Sequence, residues 1–234
     1  MSLPSSAAPD STPFSDTDFV EAVNEELARH LSQQEERVAA IAAEGHDLIK
    51  AISTLCAGGK RVRPLFAWYG WQVAGGSPSD DVIVKIGVAL ELFQAAALIH
   101  DDILDRSDTR RNQPSAHRRF QHLHQDREWE QDGEHFGISA AILAGDVSLA
   151  LSEELFTSVI LDIVSSDPAV ALRARSVFDE MRFEVMTGQY LDIREEAAGS
   201  THTPEVALDR AMTILQYKSA KYSVQRPLMI GAAA

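Results

Sequence analysis

The sequence predicts an all-α protein. Three observations point there. After residue 17, apolar residues recur at spacings of three and four almost to the end of the chain. No stretch alternates polar and apolar residues long enough to mark a sheet. Gly58-Gly59, Gly75-Gly76, Pro168 and Pro204 fall between the periodic stretches, where they punctuate helices.

The elements follow in order. Residues 1–17 are polar, without a basic-then-apolar leader layout, and read as a disordered lead-in to a domain over 18–234. Phe19, Val23, Leu27, Leu31, Val38 and Ile41 mark a first helix, with Gly45 as its expected stop. A short helix over DLIKAISTLCA runs into Gly58 and Gly59. Pro64 suits the first turn of the next helix, which ends at Gly75 and Gly76. SDDVIVKIGVALELFQAAALIHDDILD is apolar nearly all round, the mark of a central buried helix. Residues 105–136 turn polar and read as a surface connection with at most short helices. ISAAILAGDVSLALSEELFTSVILDIV reads as a second buried helix, and Asp167-Pro168 opens a helix to about Glu196. Thr203 and Pro204 form an N-cap with proline behind it, and a last helix runs to the end. No repeat appears, and the count is roughly seven to nine helices.

Composition narrows the function. Lys and Arg number 21 against 35 Asp and Glu, a formal charge of −14. That balance excludes general nucleic-acid binding, which neutralises phosphates with basic side chains. The lone Cys56 cannot make an intrachain disulfide, which suits a reducing, cytoplasmic setting. No apolar run approaches the ~20 residues of a membrane-spanning helix.

The chemistry concentrates in two motifs. Asp101, Asp102 and Asp105 lie at the C-terminal end of the most apolar helix. Asp101 and Asp105 share a face, and Asp102 is turned about 100° away. Like charges at that spacing, at a helix end that is itself partly negative, need an offset. Mg²⁺ takes such hard oxygens, with substrate phosphates and water completing its shell. Arg106, Arg110 and Arg111 follow at once, and arginine is the preferred fork for phosphate oxygens. Upstream, Gly58-Gly59-Lys60-Arg61-Val62-Arg63-Pro64 puts three cations in a glycine turn before a helix, an anion-receiving arrangement.

GGKRVRP, then ELFQAAALIHDDILDRSDTRRNQPSAH, GISAAILAGD, EVMTGQYLDI and QYKSAKYSVQRPLMIGA, in that order, resemble the trans-isoprenyl diphosphate synthases of the polyprenyl synthetase family, over about residues 18–234. The resemblance implies an isoprenoid synthase-type helical bundle around a deep central cavity, in a homodimer. It implies Mg²⁺-dependent head-to-tail joining of isopentenyl diphosphate to an allylic diphosphate. By position, Asp101 and Asp105 ligate Mg²⁺, assisted by Asp102. Arg110 contacts the allylic diphosphate, and Lys60, Arg63, Gln94 and Arg111 bind isopentenyl diphosphate. Lys218 and Ser219 match a Lys-Thr pair near the allylic diphosphate, and Gln189 and Asp192 match a polar pair facing the same cavity. The departing diphosphate takes the proton, so no side-chain base is required. His100 is expected to be structural, and His117, His122 and His124 to be solvated loop histidines.

In the family, bulky aromatics four and five positions before the first aspartate close the pocket for short products. Here those positions are Ala97 and Ala96, and Phe93 lies about 12 Å lower. The expectation is a product longer than C15, geranylgeranyl diphosphate (C20) first. The family's second aspartate-rich motif belongs downstream of KSAKYSVQRP, and the sequence ends at Ala234 without one. If 234 residues are the whole protein, little or no synthase turnover is expected. Two other readings stand beside this one. A class I terpene cyclase also uses DDxxD but needs no isopentenyl site. A non-catalytic synthase subunit would do without the second motif.

Overall fold

The structure is a computed structural model that describes residues 14–199 and 203–234. Among these are nine α-helices, with α4 at the centre: α1 Asp16–Ala39, α2 His46–Cys56, α3 Val62–Val73, α4 Asp81–Leu104, α5 Ala116–Asp126, α6 Gly133–Val164, α7 Pro168–Ala198, α8 Pro204–Ile214 and α9 Arg226–Ala233. Two short strands, β1 Thr109–Arg110 and β2 Gln113–Pro114, pair antiparallel between α4 and α5.

Capping fixes several helix starts. Ser15 and Asp18 form a reciprocal capping box that begins α1 at Asp16. Most of the expected lead-in, residues 1–13, lies outside the described residues, but residues 14–17 belong with α1. Asp80, Asp132 and Asp167 cap α4, α6 and α7 with their carboxylates. Thr203 stands at the N-cap of α8, but its hydroxyl makes no capping bond.

α4 is the hub. It packs most extensively on α6 and also meets α1, α2, α3, α5 and α9. Two buried hydroxyls set the α4–α6 register: Ser148 Oγ donates to Leu92 O at 2.8 Å and Ser152 Oγ to Ala89 O at 2.7 Å. The helix is in fact long and apolar enough to cross a membrane, contrary to the expectation that no run approaches that length. Its most apolar window is 72% buried inside the protein, as a core helix is.

Other expectations need correction. α1 ends at Ala39, not at Gly45, which lies in a 3₁₀ turn, Ala43–Gly45. A Cβ there would strike Val38, so this glycine serves a close approach rather than a left-handed stop. The polar connection holds a strand pair and the 11-residue α5, whose apolar face packs on α6. α6 starts at Gly133 and is not wholly buried: Ile142, Leu143 and Leu161 are exposed. Periodicity reports which faces are apolar, not which are covered. The expected last helix is interrupted by a π-helical stretch, Leu215–Gln225, in which Arg226 N–H reaches back five residues to Lys221 O. Pro227 supplies a reason, because its ring crowds the carbonyl four residues back and a widened turn relieves the clash.

Candidate active site

α4 delivers Asp101 and Asp102 in its last turn, and Asp105 is its C-cap. Asp102 is fully buried and accepts from Arg110 Nε at 2.9 Å. Arg110, carried in by β1, also donates to Asp101 at 3.2 Å. Burial pushes the Asp102 carboxyl above its usual range, and Arg110 pulls it back only in part. Partial desolvation, and then the charge of Asp101, push the Asp105 carboxyl up as well. Asp102 Oδ2 is buried without a partner.

The opposite wall comes from α7 and the π stretch. Lys218 donates to Asp192 of α7 and lies 3.8 Å from Asp101. Burial opposes its charge, but Asp192, Asp101 and Asp105 outweigh that and hold the proton more tightly than usual. The two segments approach closely at Gly188, where a Cβ would sit 2.6 Å from Lys218 N.

Between these walls lies a cavity of about 650 Å³. Arg63, Gln94, Asp101, Gln189, Lys218 and Ser219 supply polar lining, with His100 at the rim. His100 Nε2 sits 3.3 Å from Ile142 O and 3.5 Å from Asp146, bridging α4 to α6. Apolar lining comes from Phe93 and Ala97 of α4, Leu149 of α6 and Val185 of α7. Ala97 and Phe93 therefore line the cavity. Ala96 is fully buried and is not part of the lining.

The residues expected for a second diphosphate are dispersed. Arg63 lies over the Tyr222 ring at 4.2 Å and donates to Ser223. Gln94 accepts from Tyr222 Oη at 2.6 Å. Lys60 is exposed and lines neither this cavity nor the next. Arg111 donates to Leu55 O and Ala57 O and lines a separate cavity of about 460 Å³ beside Arg110 and Arg119. Arg61, the third cation of the loop, is withdrawn from any ligand: it is buried and paired with Glu91 at 2.7 Å.

The loop histidines also need correction. His117 and His124 are buried on α5, held by Ser115 Oγ and Glu130 O, and only His122 is exposed. α5 turns one face into the protein, which composition alone does not reveal. Among the described residues no three His, Cys, Asp or Glu side chains converge as a ready metal cage. The aspartates do fit Mg²⁺ in its commoner mode, in which one or two carboxylates hold a cation that substrate phosphates and water complete. Asp101 reaches the cavity, Asp105 is exposed beside it, and Asp102 has a spare oxygen.

Sequence reasoning missed Tyr222, which contacts Arg63, Gln94 and Phe93 at once. Its spacing of four from Lys218, inside an already conspicuous motif, was the available signal. Leu149 and Val185 carried none, because apolar residues at helical spacing read as core.

Comparison with known proteins supplies the family and the fold. Residues 46–234 match the polyprenyl synthetase family model. A Bacillus subtilis farnesyl diphosphate synthase is 31% identical over 170 residues, covering 72% of this chain and 49% of its own. A Methanosarcina mazei geranylgeranyl diphosphate synthase is 32% identical over 137 residues, covering 58% and 35%. The crystal structure of a Corynebacterium glutamicum geranylgeranyl pyrophosphate synthase, complexed with isoprenyl diphosphate and magnesium, superposes with a TM-score of 0.82 at 36% identity, over 92% of this chain and 59% of that one. The chain spans about half the length of the curated relatives it matches.

Proposed function

Because the chain belongs to the polyprenyl synthetase family, we propose that its cavity joins isopentenyl diphosphate head-to-tail to an allylic diphosphate. The observation that carries this is one cavity with carboxylates and cations at one end and hydrocarbon at the other: Asp101 and Lys218 above Ala97 and Phe93. A charged head and an apolar tail need that polarity of lining.

Asp101 and Asp105, with Asp102 assisting, are the residues that would hold Mg²⁺. Bound there, the cation supplies positive charge against the departing diphosphate. Lys218 and Arg110 add fixed positive charge where negative charge grows on the leaving oxygen, a preorganised electrostatic contribution. The allylic C–O bond breaks with its electron pair leaving on the diphosphate. The isopentenyl double bond then attacks the allylic carbon, and the diphosphate takes the proton released. Arg63 and Gln94 are the cavity residues assigned to the second substrate, and Lys60 and Arg111, dispersed outside the cavity, are assigned to it by the resemblance of their motifs alone. Ser219, Gln189 and Asp192 complete the polar end.

The relatives divide between farnesyl (C15) and geranylgeranyl (C20) synthases. Ala97 faces the cavity and leaves it open to Phe93, about 12 Å below Asp101 at ~1.5 Å per residue. That supports a C20 product. The exposed Ile142, Leu143 and Leu161 support a homodimer through α6. The packed α4 and the single buried thiol support a cytoplasmic setting.

The test is direct. The purified full-length gene product is given Mg²⁺, isopentenyl diphosphate and farnesyl diphosphate, and products are separated by chain length. The expected product is C20, lost on chelation and in Asp101→Ala. Ala97→Phe is expected to shift the main product to C15. Unchanged product length in that variant removes the length argument, and no Mg²⁺-dependent product removes the function.

A further inference from the structure

We propose that the connection between α5 and α6 is a recognition site for an arginine side chain on a basic protein segment, with Trp129 as its wall and His124 Nδ1, Glu128 and Glu130 as its acceptors. This site shares no lining residue with the prenyl diphosphate cavity.

Two clefts flank the Trp129 side chain, of about 530 and 760 Å³. Glu128, Gly133 and Glu134 line the first, Glu130 and Phe136 the second, and Trp129 and His124 line both. Trp129 is 44% exposed, yet it is held as a fixed wall. Its ring stands edge-on to Phe136 at 5.2 Å and to His124 at 5.9 Å, and its backbone N–H donates to His124 O at 3.2 Å.

His124 gives the site its direction. The residue is 7% exposed, and its Nε2 lies 3.0 Å from Glu130 O. A carbonyl oxygen only accepts, so Nε2 carries a proton. Nδ1 has no hydrogen-bond partner among the described residues, and in the neutral ring it is an acceptor. Gly133 keeps the space before it open, because a Cβ there would sit 2.9 Å from Nδ1. A buried acceptor that faces an open cleft is placed to take a donor from outside.

The surrounding charge selects the kind of donor. Glu128 and Glu130 are exposed and form no ion pair among the described residues, and no Lys or Arg lines either cleft. α5 ends at this point, and a helix C-terminus adds partial negative charge. Asp132 offsets the opposite charge at the start of α6 by accepting from Glu134 N and His135 N. A cation that stacks on an aromatic face fits this lining, and guanidinium joins that property to several N–H donors in one plane. The formal charge of −14 draws a basic segment and repels an acidic one.

The full-length gene product, labelled with 5-fluorotryptophan, is titrated with the peptide acetyl-Gly-Arg-Gly-Arg-Gly-amide and followed by fluorine NMR, the Trp129 resonance being assigned with Trp129→Phe. The peptide is expected to shift that resonance saturably, and less so as salt is raised. Calorimetry is expected to show binding weakened about two- to fivefold in Trp129→Leu, the loss of one exposed cation–π contact. Gly133→Ala, which fills the space before Nδ1, is expected to weaken it as well. Glu128→Gln and Glu130→Gln are expected to do the same, and as surface changes they keep the test intact if another variant loses its native circular dichroism. A Trp129 resonance unmoved by the peptide overturns the proposal, as does an equal shift by the matching glutamate peptide. Tighter binding of spermidine than of the peptide gives the clefts to a free polyamine, and a smaller particle by light scattering in Trp129→Leu gives them to a second copy of the chain. Either outcome also overturns the proposal.

Discussion

Arg61 shows how a basic motif divides its labour. It holds φ +53° at the start of α3, a left-handed conformation that costs a non-glycine residue about 1–2 kcal/mol. Its guanidinium meets Glu91 at 2.7 Å, Asn24 at 2.8 Å and Cys56 O at 2.8 Å. Those bonds fasten the GGKRVRP turn to α1, α2 and α4, and so place Arg63 against Tyr222. The thiol beside it is sealed off, its pKa pushed up to about 12 by burial. Glu91→Ala strands a buried cation and is expected to cost about 3–5 kcal/mol in urea denaturation. A loss below 1 kcal/mol would show that water reaches Arg61. Reading the motif by residue type marked three cations as ligand-facing. Only the buried carboxylate on a distant helix reveals which one turns inward, and no local pattern announces such a partner.

Among the elements, the approach of α7 to the π stretch matters most for the site. Gly188 lets the two backbones nearly touch at Lys218. Gly188→Ala must push them apart, at an overpacking cost of about 1–3 kcal/mol. Because Lys218 sits on the displaced backbone, farnesyl diphosphate affinity is expected to fall along with the melting temperature. A variant that loses stability but binds normally would separate the two. Most elements were legible beforehand, because α1, α4 and α7 carry long apolar repeats and clear caps. Two were not. α5 is rich in arginine and histidine, so its composition reads as loop while its face packs on α6. The π stretch keeps an α-like apolar pattern, since the choice between bonding partners four and five residues away leaves no compositional mark.

For the molecule as a whole, Glu184 ties the C-terminal third together. It accepts from Arg226 of α9 at 2.8 Å and from Lys221 of the π stretch at 2.7 Å. Arg226 and then Lys221 hold its carboxyl below the ordinary value of 4.5, so the unfolded chain binds the proton more readily than the folded one. The stability it adds is present above that value and is lost as pH falls through the lower, folded one. Unfolding free energy measured against pH is therefore expected to drop below about pH 4.5, and less steeply in Glu184→Gln. Equal slopes in both proteins would assign the acid sensitivity elsewhere. At this scale the sequence revealed the bundle and the polar end of its cavity. The apolar end stayed hidden, because cavity wall and core share one vocabulary of residues. The hydroxyls of Ser148 and Ser152 carry one last consequence. They pin α6 to α4 like two pieces of a gauge riveted at two points, so its graduations cannot slip past each other. On the proposed function, a longer tail then requires the exchange of a side chain on the gauge and not a slide of the helices.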